Sequence, residues 1–216
     1  WLDKADLKVF ETMKKNNPRR YAVAGLGGWG IVDGLVYENW KEEEFTLEKI
    51  KDCVTVAGLD FGYTNDPSAF FVGFVDIENQ KLYVWDEFYE KGMSNKKIAE
   101  KVIEMGYKKE RITADSAEPK SIDELKSLGL RVKGAMKGKD SIKNGIDILQ
   151  RYRWNVTRRS TGTRTELLNY KWKVTKDGMT TNTPVDCFNH AIDAVRYGAL
   201  ARLKIAHKPR GITVRQ

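Results

Sequence analysis

Cysteine is scarce in this chain, with Cys53 and Cys187 the only two among 216 residues. Two thiols build neither a disulfide framework nor a zinc site of CxxC spacing, and they read as reduced thiols in a cytosolic setting. A long uncharged run is missing as well. The longest, Tyr21 to Val32, holds four glycines and is far short of a bilayer span, which excludes a membrane-spanning helix. No charged-apolar-small leader opens the chain, and its first residue is Trp1. The expectation is a cut made inside a longer polypeptide, with no secretory signal. Against that background the Asn155-Val156-Thr157 sequon has no extracellular company. Internal repeats and low-complexity tracts are also lacking.

What the chain does have is a core and an excess of cations. Apolar residues make up 41% and aromatics 11%, enough to fold and too much for a disordered chain. Lys and Arg number 38 against 30 Asp and Glu, a net charge of +8 that favours a polyanionic partner.

Texture divides the chain into three parts: 1–50, 51–204 and 205–216. The first opens with an amphipathic stretch (Leu2, Leu7, Phe10, Met13) that stops at Asn16-Asn17-Pro18. A glycine-rich segment and the acidic run Glu42-Glu43-Glu44 follow, so this part reads as a connector lying against something else. From Val54 the pattern is regular. Apolar runs at Val54–Leu59, Ala69–Val75 and Leu82–Trp85 predict an antiparallel meander. Helices are expected over 97–105 (Ser94 as N-cap), 119–128 and 141–152, with strands at 111–114, 130–132 and 154–157 between them. A helical turn at 165–170 leads to an Asp177-Gly178 hairpin and a last helix from Asp186, its N-cap, to about Lys204. A basic tail, 207–216, closes the chain. This order belongs to an α/β domain with a mixed sheet.

Three motifs are decoys. Gly25-Leu26-Gly27-Gly28-Trp29-Gly30 fits the dinucleotide fingerprint, but extended-looking sequence follows where a helix must open. Gly134 to Ser141 imitates a P-loop one residue short, with the anionic Asp140 where a magnesium-binding hydroxyl belongs. Cys187 and His190 are spaced for contact on one helix, yet nothing near them resembles an oxyanion hole, and Cys187 reads as buried and inert.

The acids are placed more tellingly. Asp60 closes the first apolar strand, Asp115 closes the fourth, and Asp193 lies on the last helix. Strand-end carboxylates beside a central sheet are badly solvated and repel one another unless a cation joins them, and hard divalent ions suit such donors. Two such ions, roughly 3.5–4 Å apart, serve in-line displacement at phosphorus. His190 and Tyr197 share the helix face of Asp193. From there His190 can ligate a metal, orient a ligand or relay a proton.

Val56-Ala57-Gly58-Leu59-Asp60-Phe61-Gly62-Tyr63-Thr64-Asn65-Asp66-Pro67-Ser68-Ala69 resembles the first strand and turn of the nuclease domain of tailed-phage large terminase subunits. Ile112-Thr113-Ala114-Asp115-Ser116-Ala117-Glu118-Pro119-Lys120-Ser121-Ile122 is similar to that family's second acidic motif. Asn189-His190-Ala191-Ile192-Asp193-Ala194-Val195-Arg196-Tyr197 is similar to its C-terminal motif. The resemblance covers about 54–203. It implies a ribonuclease H-like fold and a metal-dependent endonuclease that cuts concatemeric double-stranded DNA during genome packaging. Asp60, Asp115 and Asp193 would be the metal carboxylates, with Asp60 bridging two ions, Mn2+ or Mg2+. His190 marks the branch of the family with a histidine beside the last acid, which favours manganese. Asp66 and Glu118 read as turn and helix-start residues. Residues 1–50 look like the link from the family's ATPase domain. The small terminase subunit and the portal are the further implied partners, in the host bacterial cytoplasm.

Between Leu130 and Arg164 ten cations face two acids, which suits close approach to phosphates. The expected DNA contacts are Arg131, Lys133, Lys137, Lys139, Lys143, Arg158 and Arg159, joined by Lys171 and Lys173 on the hairpin. No element offers a base-reading helix, so little sequence preference is expected. Three rivals remain: an actin-like or sugar-kinase ATPase, which needs a second Asp-x-Gly motif, a strand-transfer enzyme of the transposase type, and a weakly active docking module.

Overall fold

The computed structural model describes residues 34–62, 64–136 and 138–206. The 1–16 amphipathic stretch, the 25–30 glycine motif, Lys137 and the 207–216 tail lie outside the described residues. Among those described, no helix is long and apolar enough to cross a membrane.

Strands β1 (Trp40–Glu42), β2 (Val54–Asp60), β3 (Ser68–Asp76), β4 (Lys81–Glu90), β5 (Arg111–Ala114), β6 (Arg131–Gly134) and β7 (Arg153–Val156) form one mixed sheet, ordered β1-β7-β4-β3-β2-β5-β6. The β2-β3-β4 meander is antiparallel, while β5, β6 and β7 join in parallel. The helices are α1 (Asn95–Glu104), α2 (Pro119–Ser127), α3 (Ser141–Leu149), α4 (Thr161–Asn169) and α5 (His190–Ala206). A separate hairpin pairs β8 (Trp172–Val174) with β9 (Thr180–Pro184).

β2 and β3 read as unbroken apolar runs because they are central strands, covered on both faces. Val56, Phe71, Val84 and Trp154 pack on one side with α3, α4 and α5. Leu59, Phe70, Ile112 and Leu125 pack on the other with α1 and α2. The α5 side is unusually tight. A Cβ on Gly58 would overlap the Ala194 carbonyl, and one on Gly198 would lie 2.8 Å from the Ala57 carbonyl group. These glycines let the backbones of β2 and α5 meet, which carries the residues of α5's first turns close to the tip of β2.

Several expectations shift at their ends. Ser94 does cap α1, accepting from the Lys97 amide at 3.3 Å. The last helix, however, starts at His190, since Phe188 sits at φ 56 and interrupts it. Asp186 is therefore not its N-cap, and Cys187 lies outside it, exposed rather than buried. The helix around 165–170 begins four residues earlier, at Thr161.

Part of the stretch read as connector enters the fold. β1 pairs in parallel with β7, and Tyr37 lies in the core between Trp154 (ring centroids 4.8 Å apart) and Tyr170 (6.3 Å). The Tyr37 hydroxyl is buried with no hydrogen-bond partner among the described residues. Tyr37→Phe removes only that unmatched group, so it should stabilise the protein by about 1 kcal/mol. Calorimetry should show a thermal midpoint higher by about 2–4 °C; a lower one would mean that the hydroxyl is satisfied in solution.

Candidate active site

β2 and β5 run in parallel, Leu59 opposite Ala114, so each strand delivers an aspartate to the same edge of the sheet. The Asp115 amide donates to the Leu59 carbonyl at 3.1 Å, which fixes the two strand tips side by side. α5, seated on Gly58, supplies Asp193 and His190 from its first turn.

Each acid is held by a different neighbour. Asp60 is only 8% exposed, and its Oδ2 lies 3.0 Å from Nδ1 of His190. Burial raises its pKa to about 6, the His190 bond opposes that, and Asp193 and Asp115 push it further up. Asp115 accepts the Ala117 amide at 2.8 Å in an Asx turn and the Tyr197 hydroxyl at 3.2 Å. Asp193 receives two bonds from Arg196, at 3.0 and 2.9 Å, both on Oδ1. Burial raises its pKa, Arg196 works against that, and Asp115 adds to it. His190 is shifted upward chiefly by its bond to Asp60, with burial pulling the other way. Its Nε2 faces Asp66 at 3.6 Å.

Burial, with neighbouring carboxylates adding to it, raises Asp60 and Asp193 together, as happens where acids share one poorly solvated place. Among the described residues no three His, Cys, Asp or Glu side chains already converge as a metal cage does. The three aspartates are engaged instead by His190, Tyr197 and Arg196. The donor chemistry, three carboxylates and an imidazole, fits a hard divalent cation that would relieve their repulsion.

Sequence reasoning missed the residue that positions α5. Glu166 of α4 is wholly buried, and its carboxylate accepts from the His190 and Ile192 amides and the Tyr89 hydroxyl, each at 2.9 Å. It satisfies the orphan amides at the start of α5 from a distant point in the chain. Burial raises its pKa to about 7 against those bonds. Glu87 of β4 does the same for α4, accepting from the Gly162 and Thr163 amides at 2.5 and 3.1 Å. A chain of caps thus runs from β4 through α4 to the helix that carries Asp193. Arg196 was also missed, although its place three residues after Asp193 on one helix was a usable signal.

Beside Asp193 a cleft of about 490 Å³ opens between the start of α3, the β8–β9 hairpin and α5, lined by Lys143, Lys173 and Asn189 among others. Arg131 and Lys133 lie on the edge strand β6, and Lys139 is exposed before α3. Lys171 is half-buried at the base of the hairpin. Arg158 pairs with Glu42 at 2.9 Å, as does Arg164 at 2.6 Å, and Arg159 stacks 4.1 Å over the Trp85 ring. Glu118 precedes α2 and Asp66 lies in the exposed turn after β2.

Comparison with known proteins gives a consistent set of likenesses. The model of the terminase RNase H-like domain family matches residues 60–201. The large terminase subunit of Bacillus phage SPP1 is 35% identical over 208 residues, covering 91% of this chain and 48% of that protein. The crystal structure of the SPP1 large terminase nuclease domain with bound Mn superposes with a TM-score of 0.70 at 34% identity, over 78% of this chain and 98% of that one. The P22 large terminase nuclease domain shares the fold, with a TM-score of 0.58 at 14% identity over 79% of this chain and 93% of that one. The chain spans about half the length of the SPP1 subunit it matches, or less.

Proposed function

The chain belongs to the terminase RNase H-like domain family, and from that premise we propose that it is a metal-dependent endonuclease cutting double-stranded DNA during phage genome packaging. The observation that supports this reading is the placing of Asp60, Asp115 and Asp193 at the same end of the central strands, where Asp193 and Asp115 raise the proton affinity of Asp60 and Asp115 raises that of Asp193. Asp60, Asp115, Asp193 and His190 would hold divalent ions, Mn2+ or Mg2+. Bound there, such ions would supply an activated water and offset charge on the phosphate.

The chain's own groups do the rest. Arg196 and Tyr197 aim Asp193 and Asp115, so neither carboxylate has to be ordered when substrate arrives. Asp60 orients the His190 ring through Nδ1 and leaves Nε2 toward the exposed Asp66 side, as the atom that would donate to an ion. The turn after β2 is closed on itself, its Gly62 amide taken by Ser68 Oγ at 3.2 Å. That amide is therefore not offered to a nucleotide phosphate, which counts against the actin-like reading.

Within a full-length subunit we assign 1–50 to the link from an ATPase domain, its 34–50 part docked on the nuclease through β1 and Tyr37, 51–204 to the nuclease and 205–216 to a basic tail. The ATPase domain, the small terminase subunit and the portal are the proposed partners, in the host cytoplasm. The test is conversion of supercoiled plasmid by the 216-residue chain. Nicked and linear products are expected with Mn2+ and none with EDTA, without preference for one sequence. A folded protein inert with Mn2+ and with Mg2+ would overturn the reading.

A further inference from the structure

The α5 side of the sheet is not apolar to its edge. On β5 and β6 the residues Ile112, Ala114 and Val132 point into the core under α1 and α2. By strand alternation Arg111, Thr113, Arg131 and Lys133 face the opposite side. Register then sets Arg111 beside Arg131 and Thr113 beside Lys133. α5 packs on β2, β3 and β5. Between its C-terminal half and the last two strands lies a cleft of about 290 Å³, with Gly198 in its wall and Arg202 across from the strand cations.

Four cations therefore line one small cleft, and among the described residues no carboxylate does. Among the described residues none of the four makes an ion pair, whereas Lys41, Lys49, Lys101, Lys126, Arg158 and Arg164 each find an acid. Like charges gathered without a counter-ion repel, so the cluster favours an anionic occupant. Arg202 follows Asp193 by nine residues on the same helix, about 13 Å along its axis, or roughly four base-pair steps of duplex. Cleft and carboxylates both lie where α5 meets the sheet.

We propose that this cleft is a backbone-phosphate subsite, gripping the DNA strand about four steps from the linkage held at the aspartates. Arg111 and Arg202 are its new members, beside Arg131 and Lys133, and the subsite sets which linkage reaches the acids. The inference rests on DNA being the substrate but not on cleavage.

Binding of a 30-base-pair duplex in EDTA, followed by fluorescence anisotropy from low to high salt, tests it. Arg111→Gln/Arg202→Gln should flatten the slope of log K against log salt by about 1.8, and Lys133→Gln alone by about 0.9. A control pair on the far side of the sheet, Lys96→Gln/Lys97→Gln, should leave the slope as it was. An unchanged slope in the cleft variants, as expected if an acidic polypeptide is the true occupant, overturns the proposal. Equal flattening by the control pair also overturns it, since net charge alone would then explain the effect. If the parent binds with the steep slope yet cleaves with no ion, the catalytic reading falls while the subsite stands.

Discussion

Asp60→Asn is expected to abolish plasmid nicking and linearisation, by at least ~10³-fold, while making the ion-free protein more stable at pH 8. The two halves share one cause. Asp60 is held nearly dry among other acids, and its pKa stands at about 6 instead of its ordinary 3.8. A carboxylate whose folded pKa is raised costs stability as pH climbs from 3.8 through about 6, and the whole cost is present at pH 8. Asparagine keeps the shape and loses the charge, so it should recover on the order of 2 kcal/mol at pH 8. The gain should fade toward pH 4, where the folded parent is protonated and the unfolded chain has begun to be, and vanish below that. Thermal melts in EDTA at the two pH values measure it. Mn2+ should raise the midpoint of the parent and leave the variant unmoved. Asp115→Asn and Asp193→Asn should lose cleavage likewise. Activity retained in two of the three would remove this site from consideration. An Asp60→Asn protein less stable at pH 8 would instead show that His190 fully compensates the charge.

The aspartates were legible because each ends or opens an apolar element, and apolar runs are what a sequence displays best. β2 and β3 are buried on both faces, so their runs gave strand, order and tip at once. The same logic fails where the buried surface is polar. α4 buries Gly162, Thr163 and Glu166 beside Leu167, so its helical period carries no apolar stripe and its first turn went unseen. β1 is a short edge strand with one partly covered tryptophan and two exposed charges, which reads as linker. Cations are visible in sequence, but their partners are not. Arg158 is expected at phosphates, and nothing in its sequence neighbourhood shows that Glu42, more than a hundred residues earlier, pairs with it and with Arg164. Arg111 and Arg202 show the converse, since nothing in sequence marks them as neighbours.

Glu166→Gln isolates what that polar burial is for. The side chain keeps its volume, so packing against Leu167 and Tyr89 is undisturbed. Only the acceptor set changes. The carboxylate serves His190 N–H and Tyr89 O–H with one oxygen and Ile192 N–H with the other. An amide has one oxygen, so its NH2 must meet either Ile192 N–H or the other two donors head-on. A buried donor left unpaired costs about 1–3 kcal/mol, and the expected loss is on the order of 2–3 kcal/mol. Glu166→Ala, which strands all three donors and opens a cavity, should lose about 3–5 kcal/mol. Cleavage should fall further than unfolding accounts for, because the first turn of α5 carries His190 and Asp193 and their aim depends on the cap. Measured on molecules still folded at 20 °C, the Gln variant should be slower by about 10–100-fold. Tyr89→Phe, which removes one donor and leaves both helix amides satisfied, should cost only about 1 kcal/mol and little rate. If Glu166→Gln matches the parent in midpoint and rate, the buried carboxylate is packing alone, and the chain of caps from Glu87 to α5 does not set the position of the acids.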